Sequence, residues 1–176
     1  MICEPVSRNT AACIAYASFK INSLNEQANI VVVPSDHLIT REDEFVKIVK
    51  QCLDISSSSD FLITLGIPPN RPETGYGYIE SSKKTFDNND NIRLVNRFIE
   101  KPDAKTAQSL LEHNHFLWNS GIFIWSSKVI LQSFKDFLPS MYDIFRSGSH
   151  IYNTDQEKSF ISDIFPSLDN ISIDYG

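Results

Sequence analysis

Cysteine, glycine and long apolar runs are scarce in this sequence of 176 residues, and each scarcity excludes a class of protein. Three cysteines without metal-ligand spacing argue against a disulfide framework and against a structural zinc site. No apolar run is long enough to cross a bilayer, and the first residues do not form a signal peptide. We therefore expect a protein of the reducing cytoplasm.

An excess of positive charge is also lacking. The formal net charge is −6 and the isoelectric point is about 5.1, which argues against nucleic acid or a membrane as the main partner. No internal repeat is visible. A chain of this length can bury a stable core without disulfides or bound metal ions. We expect one domain, or a large piece of one.

Only six glycines occur, so their positions are informative. Gly75, Gly77 and Gly121 lie inside strongly patterned segments rather than at ordinary loop tips. Such placement suggests close approach of the backbone to a ligand. A bulge or a tight turn is the structural alternative at each position.

The apolar run at residues 30–33 is the centre of the predicted fold. Four consecutive β-branched residues predict a strand buried on both faces, as in the middle of a parallel α/β sheet. Pro34 ends this strand, and Asp36 follows its carboxyl end, where open α/β sheets bind ligands and metal ions. The alternative for Asp36 is an N-cap of the next helix.

Hydrophobic periodicity predicts the other elements. Helices are expected at residues 8–22, 41–53, 103–112, 128–137, 140–145 and 155–164. Strands are expected at 61–66, 76–81, 92–99, 116–125 and 171–174, with loops at 56–59 and 83–91 and an interruption at 119–121. The strand, helix, strand order between residues 30 and 66 predicts a parallel crossover. We therefore expect an α/β fold with a mixed, mostly parallel sheet flanked by helices.

Several polar groups follow predicted strands. Glu100 can accept hydrogen bonds from sugar hydroxyls, while Lys101 can meet a phosphate as a point charge. A solvated surface pair is the alternative for these two residues. Asp36 and Asp174 are hard oxygen ligands after short apolar segments, a pattern that suits Mg²⁺.

Two further segments are unusual for packing alone. Residues 73–80 combine glycines with tyrosines, so main-chain amides could contact a sugar between aromatic walls, and a β-hairpin core is the alternative. Residues 118–121, Trp-Asn-Ser-Gly, place an amide and a bare backbone inside an apolar strand. Signatures for a Ser-His-Asp triad, zinc or a Walker A loop are absent. His37 is at least as consistent with a structural role as with a catalytic one.

Taken together, six motifs resemble those of the sugar-phosphate nucleotidyltransferases, most closely the mannose-1-phosphate guanylyltransferases (GDP-mannose pyrophosphorylases). They are Glu-Pro-x-x-Arg-Asn-Thr-Ala at 4–11, Pro-Ser-Asp-His at 34–37, Glu-Thr-Gly-Tyr-Gly-Tyr at 73–78, Phe-Ile-Glu-Lys-Pro at 98–102, Trp-Asn-Ser-Gly at 118–121 and Ile-Ser-Ile-Asp-Tyr at 171–175. The resemblance spans essentially the whole sequence and implies a Rossmann-like, GT-A-like nucleotidyltransferase domain. The family's Gly-rich loop has no counterpart in residues 1–176, so we expect a partial catalytic domain without that loop and without the C-terminal β-helix.

The resemblance implies nucleotidyl transfer from GTP to mannose 1-phosphate with Mg²⁺ as cofactor, giving GDP-mannose and pyrophosphate. By this resemblance the catalytic residues are Asp36, Lys101 and Asp174, of which Asp36 and Asp174 hold the metal. The substrate-binding residues are Gly75, Tyr76, Gly77, Glu100, Lys101, Asn119 and Gly121. The nucleotide-binding residues are Glu4, Arg8, Asn9 and Thr10. The carboxylate of Glu4 could accept from N1–H and N2–H₂ of guanine together.

Two hypotheses of different kinds remain open. The first is a guanylyltransferase catalytic core, present as a fragment from which we expect no turnover by itself. The second is a non-catalytic remnant that binds a sugar phosphate or a partner chain. A transferase for another sugar 1-phosphate, and a homo-oligomer formed through regions partly outside this chain, are also compatible with the resemblance.

Overall fold

The computed structural model describes residues 2–86 and 89–175, without the side chain of Asp90. The chain forms two compact units, of which the first contains residues 1–63 and 123–176 and the second contains residues 64–122. Each unit has its own hydrophobic core. No helix in the described parts of the chain is long and apolar enough to cross a membrane.

Six α-helices and five β-strands build the described chain. The helices are α1 (Asn9–Leu24), α2 (Glu42–Ser58), α3 (Ala104–Leu111), α4 (Ser127–Phe137), α5 (Pro139–Ser147) and α6 (Glu157–Ile164). The strands are β1 (Asn29–Val32), β2 (Ile63–Ile67), β3 (Tyr78–Phe86), β4 (Asn89–Ile99) and β5 (Phe116–Ser126). A 3-10 turn follows α6 at Phe165–Ser167.

The core of the first unit is aromatic and is built on α1. The helix packs against α4 and α5, and three of its alanines, Ala11, Ala12 and Ala15, are fully buried, which lets the neighbouring helices approach closely. Phe19 and Phe145 stack with ring centroids 5.9 Å apart, and Tyr16 lies 6.4 Å from Phe145. Such pairs contribute about 0.5–1.5 kcal/mol each beyond the burial of their area.

The central strand is less buried than its sequence predicts. β1 pairs with the end of β5 in antiparallel register, from Asn29 opposite Ser126 to Val32 opposite Phe123. Within β1 only Ile30 is fully buried, and Val33, just past the strand, is 52% exposed. The prediction that this strand is buried on both faces is therefore wrong. The neighbouring helix α2 is itself mostly exposed, with only Cys52 and Ser56 buried.

In the second unit, β3 lies between two antiparallel partners. Tyr78 of β3 stands opposite Ile99 of β4 on one side and opposite Trp118 of β5 on the other. The expected polar loop at 83–91 is mostly strand, apart from residues 87–88, which lie outside the described residues. Its polarity reflects an exposed β-ribbon with several register shifts rather than a lack of structure.

The α/β class is confirmed, but the mostly parallel pairing is not. The pairs β1–β5, β3–β4 and β3–β5 are all antiparallel. The two strands of the expected crossover, β1 and β2, are connected by α2, and each has β5 as its hydrogen-bonded neighbour. The crossover itself stays a prediction.

Other boundaries also differ from those predicted. The expected loop at 56–59 is largely the last turn of α2, where the buried Ser56 donates to Asn29 Oδ1 at 2.9 Å. Phe61 and Leu62 precede β2 and are exposed. The expected final strand at 171–174 is an irregular segment ending in a turn, because its polar groups bind the start of α1 rather than a strand.

Candidate functional site

Three of the predicted substrate-binding residues lie together in the second unit. The carbonyl oxygen of Gly77 accepts a hydrogen bond from the backbone N–H of Asn119 at 2.8 Å. A Cβ added at Gly77 would lie 3.5 Å from the Cβ of Asn119 and would collide with Oε2 of Glu100. The backbone of Gly77, the carboxylate of Glu100 and the side chain of Asn119 therefore converge at this point.

The Asn-Ser-Gly segment forms a distortion inside a continuous strand. Gly121 has φ = 70°, the left-handed region that favours glycine. Oδ1 of Asn119 accepts from the N–H of Gly121 at 3.1 Å and from Oγ1 of Thr64 at 3.2 Å. The predicted interruption is wrong as a break, because β5 runs continuously from Phe116 to Ser126. Thr64 was missed because nothing distinguishes it within an apolar strand.

Glu100 and Lys101 follow the end of β4, as their sequence position predicts. The Nζ of Lys101 lies 3.5 Å from Oε1 of Glu100, with side chains 61% and 16% exposed respectively. The exposed ammonium of Lys101 suits a phosphate. The largely buried carboxylate of Glu100 suits sugar hydroxyls. Lys101 also has φ = 44°, which is uncommon for a residue with a side chain and is often found at functional sites.

The loop before β3 is held by its own side chains. The hydroxyl of Tyr78, which is fully buried, donates to the carbonyl oxygen of Glu73 and accepts from its N–H, both at 3.0 Å. Oε1 of Glu73 accepts from the N–H of Gly75 at 3.1 Å, so this amide is used within the loop. That hydrogen bond, followed by one from Arg71, holds the pKa of Glu73 below its usual range. Exposed Tyr76 sets its ring edge against Trp118.

In the first unit, the start of α1 meets the segment that carries Asp174. Oγ1 of Thr10 accepts from the N–H of Ile173 at 2.9 Å and lies 3.2 Å from Oγ of Ser172. The Ser172 hydroxyl donates to Oδ2 of Asp174 at 2.7 Å. Ser172 thereby joins Thr10, a predicted nucleotide-binding residue, to Asp174, a predicted metal ligand. Sequence reasoning did not identify Ser172.

The remaining nucleotide candidates occupy different surroundings. Arg8 donates through Nη2 to the carbonyl oxygen of Pro166. Asn9 has φ = 61°, and its Oδ1 accepts from the N–H of Thr10 at 2.9 Å. These contacts fix the entry to α1.

Glu4 is exposed and lines a cleft of about 410 Å³ whose other walls include Tyr16, Lys20 and Glu157. Burial, and then the neighbouring Glu4 carboxylate, raise the pKa of the Cys13 thiol to about 11. Cys13 is therefore protonated at neutral pH and is a poor nucleophile.

Asp36 lies in an exposed turn after β1. Helix α2 begins at Glu42 with Arg41 at its N-cap position, so the N-cap alternative for Asp36 is wrong. Across residues 2–86 and 89–175, no three His, Cys, Asp or Glu side chains group closely enough to hold a metal ion. Asp36 and Asp174 remain candidate carboxylates.

Comparison with known proteins decides the family. A family model described as nucleotidyl transferase matches residues 1–166. The chain belongs to this family. It is 38% identical over 125 residues to a mannose-1-phosphate guanylyltransferase of Escherichia coli, covering 69% of this chain and 27% of that protein. It is 42% identical over 123 residues to one of Sinorhizobium fredii, covering 69% and 23% respectively.

Solved structures give the same fold for this nucleotidyl transferase chain. The crystal structure of a mannose-1-phosphate geranyltransferase from Thermus thermophilus superposes with a TM-score of 0.84 at 26% identity, covering 99% of this chain and 48% of that one. A mannose-6-phosphate isomerase from Helicobacter pylori gives 0.77 at 26% identity, covering 98% and 64%. The nucleotidyltransferase fold expected from the motifs is thus confirmed. The chain spans about a quarter of the length of the curated relatives it matches.

Proposed function

We propose that residues 1–176 are part of a catalytic domain that transfers the nucleotidyl group of GTP to mannose 1-phosphate. The observation that carries the proposal is the convergence of Gly77, Glu100 and Asn119, with Lys101 exposed beside them. The names of the similar proteins support mannose 1-phosphate as the acceptor. From the composition we also propose a cytoplasmic location and neither nucleic acid nor a membrane as the main partner.

On the sugar side, Glu100 accepts hydrogen bonds from sugar hydroxyls and Lys101 neutralises the phosphate. The left-handed backbone at Lys101 turns the chain directly after Glu100, so that one turn presents both groups. Asn119 contributes mainly by holding the left-handed backbone at Gly121 and the carbonyl of Gly77. Charge-assisted contacts of this kind are about twice as strong as neutral ones.

On the nucleotide side, both reactants are anions, so the reaction needs in-line positioning and neutralisation of charge. The proposed ligands of Mg²⁺ are Asp36 and Asp174, which fit an ion that takes one or two carboxylates plus phosphate oxygens. The ion would neutralise charge on the phosphates. Ser172 orients the carboxylate of Asp174 through its hydrogen bond.

The proposed nucleotide-binding residues are Glu4, Arg8, Asn9 and Thr10. In this proposal the carboxylate of Glu4 binds the guanine base, and the start of α1 lies toward the phosphates. An oxygen of mannose 1-phosphate attacks the α-phosphorus of GTP, and pyrophosphate leaves. No covalent protein nucleophile is needed, because the sugar phosphate itself attacks.

Binding by the 176-residue chain tests the sugar half of the proposal directly. Calorimetric titration with mannose 1-phosphate is compared with titrations using mannose and inorganic phosphate. We expect the sugar phosphate to bind more tightly than either part. Lys101→Ala should weaken it by about 1.5–3 kcal/mol, roughly ten- to a hundredfold. Lys105→Ala, which changes an exposed lysine on α3, is the matched control. Equal affinity of all three proteins would overturn the proposal.

A further inference from the structure

The proposed function gives no role to Arg71. In the second unit this arginine contacts both strand β5 and the loop at residues 73–77. The guanidinium carbon of Arg71 lies 5.3 Å from the ring centroid of Trp118. Its Nε and Nη2 lie 3.2 Å and 3.1 Å from the same oxygen, Oε2 of Glu73. Arg71 therefore lies over the ring of a β5 side chain, at cation–π distance, and binds a loop carboxylate at the same time.

The other oxygen of that carboxylate extends the connection into the loop. Oε1 of Glu73 accepts the hydrogen bond from the N–H of Gly75, two residues before Gly77. The carboxylate thus lies between the guanidinium of Arg71 and the main chain of the loop. Movement of the guanidinium would remove one of its two supports.

Trp118 is a rigid platform for this arrangement. It is buried among Tyr78, Leu110 and Phe116 in the core of the second unit. The ring of Tyr76 meets it edge to face at 5.4 Å. The next residue of β5, Asn119, holds the carbonyl of Gly77. The segment from Arg71 to Gly77 is therefore attached to two successive residues of one strand.

We propose that Arg71 is a positioning residue that clamps the 73–77 loop onto Trp118 and so shapes the sugar-phosphate site around Gly77 and Glu100. The inference rests on the proposed function for its ligand. The clamp needs arginine rather than lysine, because only a planar guanidinium can stack on an indole and also direct two N–H groups at a carboxylate. The ammonium of lysine would supply the charge without that geometry.

The clamp itself is tested without ligand. The chain is labelled with fluorotryptophan, which gives one ¹⁹F signal for Trp118 and one for Trp125, assigned with Trp125→Phe. Exchange of the Gly75 amide is followed in the same samples. Arg71→Lys, Arg71→Gln and Glu73→Gln should each shift the Trp118 signal and speed Gly75 exchange at least threefold. Trp125, in the first unit, should be unaffected. Arg41→Gln, which removes an exposed arginine paired with Glu44, is the control.

The consequence for binding is tested with mannose 1-phosphate. Arg71→Lys, Arg71→Gln and Glu73→Gln should each weaken binding by a similar factor, about three- to tenfold. Full affinity in Arg71→Lys with a loss in Arg71→Gln would mean that the charge itself meets the phosphate, and would overturn the clamp. Unchanged affinity in all three variants would also overturn it. Failure of the unmutated chain to bind the sugar phosphate would instead overturn the proposed function, and the positioning role with it.

Discussion

Gly77 and Glu100 are so close that a Cβ added at position 77 would collide with Oε2 of Glu100 unless that side chain moved. Gly75, in the same motif, differs. A Cβ there would lie 3.4 Å from Oε1 of Glu73, which is an ordinary contact. The two glycines of one motif therefore make different demands, and only Gly77 directly limits the position of the proposed sugar-binding carboxylate.

Gly77→Ala should displace the Glu100 side chain and weaken binding of mannose 1-phosphate at least tenfold. The fold should survive, because the obstructing atom is the end of a flexible side chain rather than backbone. Lys105→Ala, at an exposed residue of α3, is the control and should change affinity less than threefold. Calorimetry gives the affinities and thermal unfolding gives the stabilities. Similar affinities for the two variants would contradict the role assigned to Gly77.

The helices could be predicted from the sequence because their signals are local. Apolar spacing marked α1 and α4, and Asp103 is the expected N-cap of α3, accepting from the N–H of Thr106 at 2.7 Å. Strand pairing could not be predicted in the same way, because a strand's partner is chosen by distant residues. The antiparallel insertion of β5 beside β1 leaves no local signal in either strand.

The candidate site shows the same difference between local and long-range signals. Motif resemblance indicated Gly77, Glu100 and Asn119, which the fold brings together. The supporting residues were missed because they act across long separations. Thr64 binds Asn119 across 55 positions of sequence, and Ser172 lies beside Thr10 across 162. Such contacts exist only once the chain has folded, so spacing in the sequence cannot reveal them.

Lys101→Gly and Lys101→Ala should separate backbone strain from binding. Both variants lose the ammonium, so both should bind mannose 1-phosphate about equally weakly. Glycine alone removes the cost of the left-handed backbone, about 1–2 kcal/mol, although its greater freedom when unfolded offsets part of that gain. Lys101→Gly should therefore resist denaturant better than Lys101→Ala. A lower midpoint for the glycine variant would show that the strain at a φ of 44° is smaller than the entropic cost of glycine, and would contradict the prediction.

Thr10→Val should loosen the segment that carries Asp174. The substitution keeps the shape of the side chain but removes the oxygen that accepts from the N–H of Ile173. Exchange of the Ile173 amide should therefore become at least fivefold faster, and stability should fall by about 1 kcal/mol. Ser167→Ala, at an exposed serine whose hydroxyl binds Ile164, is the control and should leave Ile173 unchanged. Unaltered exchange in Thr10→Val would contradict the role given to the Thr10 hydroxyl in holding this segment.

The most consequential stability prediction concerns Glu157, a carboxylate in the first unit that is only 7% exposed. It accepts from Tyr16 Oη at 2.5 Å, from Lys20 Nζ at 2.5 Å and 2.6 Å, and from the N–H of Asn153 at 2.7 Å. Burial opposes its charge, but the hydrogen bonds from Lys20, Tyr16 and Asn153 outweigh burial and hold the pKa of Glu157 below its usual range.

Because this pKa is lowered by folding, the stability it supplies is complete above the ordinary glutamate pKa of about 4.3 and is lost as the pH falls through the folded value. Glu157→Gln should therefore cost about 1.5–3 kcal/mol at pH 7, and this difference from the unmutated chain should shrink as the pH is lowered below about 4. Glu44→Gln, at an exposed ion pair, should cost less than about 1 kcal/mol. Denaturant unfolding from pH 7 to pH 3 measures both variants. A Glu157→Gln difference that stays constant over this range would mean that the hydrogen bonds act through shape alone and that the charge of Glu157 does not stabilise the fold.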